Sequence, residues 1–81
     1  MNRREIKDFL LKNNGCKCQG CDRNFDDHRY LEIDHNTPRA DGGINHVSNR
    51  VLLCGPCNRL KSNTYTLSGL RKMNKKQGYM C

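Results

Sequence analysis

Two Cys-x-x-Cys pairs are the clearest chemical signal in the sequence. One pair is Cys18 with Cys21, and the other is Cys54 with Cys57. Two such pairs are typical of four thiolates around a structural zinc ion. Iron bound by four thiolates is the main alternative. Cys16 lies close to the first pair, but the two-residue spacing and the intervening glycine favour Cys18 with Cys21 and leave Cys16 as a spare thiol.

Residues suited to hydrolytic chemistry lie between and beside these pairs. Asp34 and His35 are adjacent, and Asn58 directly follows the second cysteine pair. Carboxylate and amide oxygens suit a hard divalent cation that keeps several waters. Histidine can take up a proton near neutral pH. Phosphodiester hydrolysis uses a metal to stabilise charge and a base to activate water, so this set predicts that reaction if the fold brings the residues together.

The elements that must position these residues belong to a short chain. Its 81 residues predict one domain, 1–81, with too small a core to be stable without a bound metal or similar support. The apolar spacing predicts helices over 2–14, from Cys57 to about 62 or 63, and over roughly 67–77, with strands over 29–35 and 50–53. We expect Asn2 to cap the first helix and Gly15 to end it. The buried stripe of the last helix is expected to be Leu67, Leu70 and Met73. The irregular stretch 36–48 leaves directly after Asp34 and His35, so we interpret it as a functional loop.

The net charge and the cysteine content indicate which kind of partner the protein binds and in which redox compartment it folds. The net charge of +7 favours a polyanionic partner, most simply nucleic acid, although a basic surface can serve solubility alone. The N-terminus has the pattern of an amphipathic helix and not that of a secretory signal, which favours a reducing, cytoplasmic setting and metal-bound thiolates. No stretch is long and apolar enough to span a membrane, and we expect no membrane partner.

Together these motifs resemble the HNH nucleases, also called ββα-metal nucleases, in a treble-clef zinc setting. The resemblance extends from about Cys18 to Lys61. It rests on the two cysteine pairs and on the segments Glu32-Ile33-Asp34-His35, Asp41-Gly42-Gly43, Asn49-Arg50-Val51-Leu52-Leu53 and Asn58-x-x-Lys61. It implies a small α+β fold with a treble-clef-like ββα-metal core, a four-cysteine structural zinc, and flanking helices at both termini.

The resemblance also implies roles for individual residues. His35 would be the general base, and Asp34 and Asn58 would be ligands of the catalytic cation. Asn49 would be a structural residue that ties the loop and orients His35. Many members have histidine at the third motif position, so Asn58 makes the chain similar to the HNN-type members, which include zinc-containing resolvases and some restriction enzymes. We expect Mg²⁺ or Mn²⁺ as the catalytic cation.

The expected activity is therefore metal-dependent cleavage of DNA, leaving 5′-phosphate and 3′-hydroxyl ends. Four cations flank the motif and are expected to contact neighbouring phosphates, Lys61 foremost and then Arg39, Arg50 and Arg59. One site makes one nick, so double-strand cutting would require a homodimer or two encounters. A phage, restriction or mobile-element assembly is the expected context.

Two other functions compete with this interpretation. A non-catalytic, zinc-stabilised module that binds nucleic acid would need the cysteines and the basic charge, but it would have no use for Asp34, His35 and Asn58 together. A redox or iron-binding protein is the second alternative. The colour and metal content of purified protein would distinguish it.

Overall fold

The computed structural model describes residues 2–37, 42, 46–62 and 65–80. The helices and strands are α1 (Arg3–Asn14), β1 (Leu31–His35), β2 (Arg50–Cys54), α2 (Gly55–Lys61) and α3 (Leu67–Lys76). Short 3-10 turns at His28–Tyr30 and Val47–Asn49 precede the two strands. This is the small α+β, ββα-metal architecture expected from the sequence, with a helix at each end. None of the described helices has the length and apolar character needed to cross a bilayer.

The two strands form an antiparallel hairpin whose register decides which residues share a face. Leu31 lies opposite Cys54, and His35 lies opposite Arg50. Because side chains alternate along a strand, His35 leaves the same face as Leu31, whereas Asp34 leaves the other face. β1 begins two residues later than the sequence predicted because the preceding residues form a 3-10 turn.

The first helix forms for local reasons that the sequence shows. The Asn2 side chain accepts the N–H of Glu5 at 2.9 Å, and the Glu5 carboxylate accepts the N–H of Asn2 at 3.2 Å, which is a capping box. Ile6 and Leu10, one turn apart, are buried. Gly15 ends the helix with a φ of 75°, so both predicted ends are confirmed.

The core is small and centred on the cysteines. β2 is buried from Val51 to Cys54, because β1 pairs with one of its edges and the Cys16–Phe25 segment, which we call the knuckle, lies against the other. On the edge that faces the knuckle, Gln19 forms two hydrogen bonds with Leu52. Its N–H donates to the Leu52 carbonyl at 2.8 Å, and its side-chain oxygen accepts the Leu52 N–H at 2.8 Å.

The last helix packs with a different face from the one expected. The sequence predicted a buried stripe of Leu67, Leu70 and Met73. Leu70 is fully buried, but Leu67 and Met73 are only partly covered, and Asn74 is fully buried instead. The inner face is therefore centred on Leu70 and Asn74, which are one helical turn apart.

Candidate metal centres and active site

Four thiols meet in the core, and we call them the cysteine cluster (Cys18, Cys21, Cys54, Cys57). Their sulfur atoms all lie within 4.8 Å of one another, and the Sγ atoms of Cys21 and Cys54 are 3.9 Å apart. Zinc–sulfur bonds of about 2.3 Å put the sulfurs of a tetrahedral site about 3.8 Å apart. A disulfide would bring two of them to about 2 Å. The cluster therefore fits one tetrahedral zinc ion.

The acid–base properties of the cluster agree with a site for a divalent cation. Burial raises the pKa of Cys21 to about 11 and raises that of Cys57 as well. Burial opposes ionisation of Cys18 too, but backbone N–H groups, including that of Gly20 at 3.3 Å from Sγ, leave the pKa of Cys18 lowered overall. Thiolates this close repel one another, and a bound cation removes that repulsion. Cys16 is partly buried and lies outside the cluster, as expected.

A buried amide on α3 supports the cluster, and sequence reasoning missed it. The side-chain nitrogen of Asn74 donates to the Gly20 carbonyl at 2.9 Å and lies 3.5 Å from the Sγ of Cys57. Hydrogen bonds to metal-binding side chains fix their orientation, so Asn74 is suited to hold Cys57 in place. The available signal was its position four residues after Leu70, which puts it on the inner face of the helix.

A second contact from α3 holds the knuckle from outside. The Arg71 guanidinium donates to both carboxylate oxygens of Asp22, at 2.8 and 2.9 Å, and to the Gln19 carbonyl at 2.6 Å. Hydrogen bonding from Arg71 lowers the pKa of Asp22. A bidentate pair of this kind fixes direction as well as distance. α3 is therefore part of the support of the cysteine cluster.

The other candidate site lies where β1 packs against α2. The Asn58 side-chain nitrogen donates to Glu32 at 3.4 Å, and the Lys61 Nζ lies 3.5 Å from Asp34 Oδ2. Glu32 and Asp34 share one face of β1, and Asn58 and Lys61 are one turn apart on α2. The structure therefore places Asp34 and Asn58 at the same strand–helix interface.

Lys61 lies in a different place from the one expected for a phosphate contact. Its side chain is 1 % exposed and is directed towards Asp34, because the position three residues after Asn58 points into the strand–helix interface. Within the described residues, Nζ makes no hydrogen bond, so its interaction with Asp34 is an ion pair and not a directional bond. A buried ammonium needs such a partner. In this position the Lys61 side chain does not reach the surface and so cannot contact a DNA phosphate.

His35 lies beside this interface and not within it. It is the last residue of β1, and strand alternation puts its side chain on the opposite face from Asp34. The two residues are nevertheless adjacent at the strand end, where the Nε2 atom of His35 is buried. The His35 N–H donates to Asp34 Oδ1 at 2.8 Å, which fixes one carboxylate oxygen.

Asn49 ties the two ends of the loop between the strands. Its side-chain oxygen accepts the Thr37 N–H at 2.9 Å, and its side-chain nitrogen donates to the Thr37 carbonyl at 3.1 Å. Its own carbonyl accepts the Asn36 N–H at 2.8 Å. These bonds fix the chain directly after His35, which is the geometry that the implied role of Asn49 requires.

Of the other three residues expected to contact DNA, the structure describes two, and they differ in exposure. Arg59 is exposed on α2, and Arg50 is partly buried opposite His35 in the hairpin. Arg39 and most of the Asp41-Gly42-Gly43 segment lie outside the described residues, as does Cys81. His28 and His46 are both exposed.

The strand–helix interface offers oxygen atoms of the kind that hard cations prefer. Because Asn58 donates to Glu32 through its nitrogen, its side-chain oxygen takes no part in that bond, and Asp34 provides carboxylate oxygens at the same interface. Across the described chain, the cysteine cluster is the one place where three or more His, Cys, Asp or Glu side chains are close enough to share an ion. A cation at Asp34 and Asn58 would thus take its other ligands from water and substrate, as Mg²⁺ commonly does.

Comparison with known proteins agrees with this arrangement. Residues 18–64, more than half of the chain, match the family model described as HNH endonuclease. The structure is similar to part of the Type II-C Cas9 enzyme from Actinomyces naeslundii, with a TM-score of 0.65 and 34% identity over 74% of this chain and 6% of that one. The chain thus spans only a small part of the length of that enzyme. The comparison with curated proteins gave no match. The chain belongs to the HNH endonuclease family.

Proposed function

We propose that the chain is a metal-dependent DNA endonuclease whose active site lies where β1 ends against α2. The observation that carries the proposal is the shared interface of Asp34 and Asn58, with His35 adjacent at the strand end. Membership of the HNH endonuclease family supports nuclease activity in general. The net charge of +7 suits a polyanionic substrate.

In the proposed reaction, His35 accepts a proton from water while the water oxygen attacks phosphorus in line with the 3′ oxygen. The bond from phosphorus to the 3′ oxygen breaks, and that oxygen takes up a proton, so the products carry a 5′-phosphate and a 3′-hydroxyl. A divalent cation bound by Asp34 and Asn58 supplies stabilisation of the negative charge at the phosphate and the leaving oxygen. Imidazole suits the role of base because it exchanges protons near neutral pH.

The surrounding contacts position these groups. The His35 N–H fixes one oxygen of Asp34, and the ion pair with Lys61 restrains the other. Asn49 fixes Thr37 and thereby the path of the chain after His35. We therefore assign Asn49 and Lys61 as positioning residues and keep the catalytic roles for His35, Asp34 and Asn58.

A nicking assay with supercoiled plasmid tests the proposal. Wild type with Mg²⁺ or Mn²⁺ should convert supercoiled to open-circular DNA, and DNA ligase should reseal the nick because the ends are 5′-phosphate and 3′-hydroxyl. His35→Ala should lower the rate by roughly two to four orders of magnitude, the usual contribution of a general base. His28→Ala is the matched control, because that histidine is exposed on the 3-10 turn before β1. It should cut like wild type.

Two results would overturn the proposal. Equal nicking by His35→Ala and wild type, after both are stripped of metal and reloaded, would remove His35 from the role of base. Absence of metal-dependent cutting by zinc-loaded wild type would favour the alternative of a non-catalytic module that binds nucleic acid. One active site makes one nick, so double-strand cutting would require two molecules or two encounters.

A further inference from the structure

A cavity of about 570 Å³ lies along α3, a helix that follows the part of the chain matched by the family model. We call it the α3 groove. Its lining includes Asn36, Leu67, Arg71, Lys72, Lys75 and Met80. Leu67 and Met80 give it an apolar part, and three cations give it a strong positive charge.

Two of these cations are available for a ligand. Arg71 is already bound to Asp22 through a bidentate ion pair. Lys72 and Lys75 are exposed and form no ion pair within the described part of the chain. They are three residues apart on the helix, so their side chains lie on neighbouring positions of one face. A ligand in the groove therefore meets two uncompensated ammonium groups.

The groove begins beside the proposed active site. The Asn36 side-chain oxygen accepts the Leu67 N–H at 2.9 Å, which attaches the start of α3 to the residue directly after His35. Helix rise places Lys72 about 8 Å and Lys75 about 12 Å along the axis from Leu67. One DNA strand advances about 3.4 Å per nucleotide along its axis. The two lysines thus match phosphates some two to four nucleotides from one held near His35.

A second basic cavity on α1 provides a comparison. It has a volume of about 530 Å³ and contains Arg3, Arg4 and Lys7, but the carboxylates of Asp8 and Glu32 also line it. Among the residues that the structure describes, no carboxylate lines the α3 groove. A phosphate backbone is therefore attracted more strongly to the α3 groove than to the α1 cavity, although each contains three cations.

We propose that the α3 groove binds the backbone of duplex DNA, with Lys72 and Lys75 contacting phosphates a few nucleotides from the scissile one. This inference rests on the proposed nuclease function and adds a substrate-binding surface to it. Such contacts position DNA without reading its sequence. They also release counterions, so they contribute directly to the salt dependence of binding.

The test measures DNA binding in a background that does not cut. In His35→Ala protein, the affinity for a fluorescent duplex is measured by anisotropy over a series of salt concentrations. Lys72→Ala with Lys75→Ala should reduce the slope of log affinity against log salt by about two, one for each lost phosphate contact. Arg3→Ala with Arg4→Ala removes the same charge from the α1 cavity and should change the slope much less. Zinc content checks that each variant is folded.

The outcomes separate the groove from the nuclease function. The proposal that the α3 groove binds DNA would be overturned by an unchanged slope in the Lys72 and Lys75 variant. An equal change in that variant and in the Arg3 and Arg4 variant would overturn it as well. If wild type nicks plasmid while the slopes are equal, the nuclease function stands without the groove. If wild type does not nick but the α3 variant alone loses slope, the groove binds DNA and the nuclease function fails.

Discussion

The cysteine cluster and the strand–helix interface differ in how completely the fold encloses them. The four cysteines are at most 3 % exposed, whereas Asp34 is 22 % exposed and Glu32 is open to solvent. A structural zinc site takes all its ligands from the protein, but a catalytic site must leave positions for water and substrate. This difference agrees with a cluster that fixes the scaffold and with our proposal that the interface carries the catalytic residues.

The two regions also differ in their supports. The cluster draws contacts from the knuckle, β2, α2 and α3, through Gly20 and Asn74 among others. Among the described side chains, the contacts between β1 and α2 at the interface are one long hydrogen bond from Asn58 and one ion pair from Lys61. Substitutions in the cluster should therefore affect folding first, and substitutions at the interface should affect cleavage first.

Loss of a cluster thiol should have the largest effect. Cys54→Ser should release zinc and unfold much of the domain, because a structural zinc site contributes on the order of 10 kcal/mol to a small fold. Metal analysis and far-UV circular dichroism measure both effects. Cys16→Ser is the control and should keep one zinc per chain. Stoichiometric loss of zinc in Cys16→Ser would mean that the cluster assignment is wrong.

Substitutions of Asn58 should change cleavage without unfolding the domain. Asn58→Ala should lose catalytic metal affinity and activity while zinc stays bound, because the amide oxygen is one of two proposed protein ligands. Asn58→His should stay active but prefer Mn²⁺, Co²⁺ or Ni²⁺ over Mg²⁺, since imidazole favours later transition metals. Plasmid nicking is titrated with each metal. Wild-type activity of Asn58→Ala across the Mg²⁺ titration would exclude Asn58 as a ligand.

Replacement of the buried Asn74 should lower the zinc affinity of the cysteine cluster without abolishing zinc binding. Asn74→Leu loses the contacts with Gly20 and Cys57 and should lower zinc affinity by roughly 10- to 100-fold, as is common for groups that orient metal ligands. Competition with a zinc-binding dye measures it. Gln77→Leu replaces an exposed amide near the end of the same helix and should retain zinc normally. Equal zinc affinity in both variants would show that α3 does not support the cluster.

The smallest expected effect separates two roles of Lys61. Lys61→Met keeps the packing volume but removes the partner of Asp34, so it should destabilise the fold by roughly 1–3 kcal/mol, between the values for exposed and buried pairs. Because Lys61 is buried, the salt dependence of DNA binding should not change. Arg59→Met, on the exposed side of α2, is the control for charge. A reduced salt slope in Lys61→Met alone would restore the phosphate contact predicted from the sequence.

Local sequence signals predicted much of the scaffold. Spacing alone was enough to place the Asn2 cap of α1, its terminal Gly15 and the two cysteine pairs. Each of these features depends only on neighbouring positions in the sequence. The sequence also predicted that Asn49 ties the loop, through the family resemblance, and the bonds of Asn49 with Thr37 agree with that role.

Signals that depend on distant packing were harder to interpret. Lysine and asparagine are usually exposed, so the residue types of Lys61 and Asn74 did not indicate that they lie in the interior. Their burial follows from which face of α2 meets β1 and which face of α3 meets the knuckle. Two helices that each present a mixture of polar and apolar residues do not reveal this from spacing alone.

The connectivity of the cluster has a consequence for the order in which the chain folds. Cys21 and Cys54 are 33 positions apart, and Asp34, His35 and Asn49 all lie inside the loop that they close. Closing a loop of that length costs about 3–4 kcal/mol of chain entropy, which a metal ion bound to both ends offsets. A growing chain must therefore release Cys57 from the ribosome and acquire its metal before the proposed cutting residues can assemble. The availability of zinc would then control the assembly of the proposed active site.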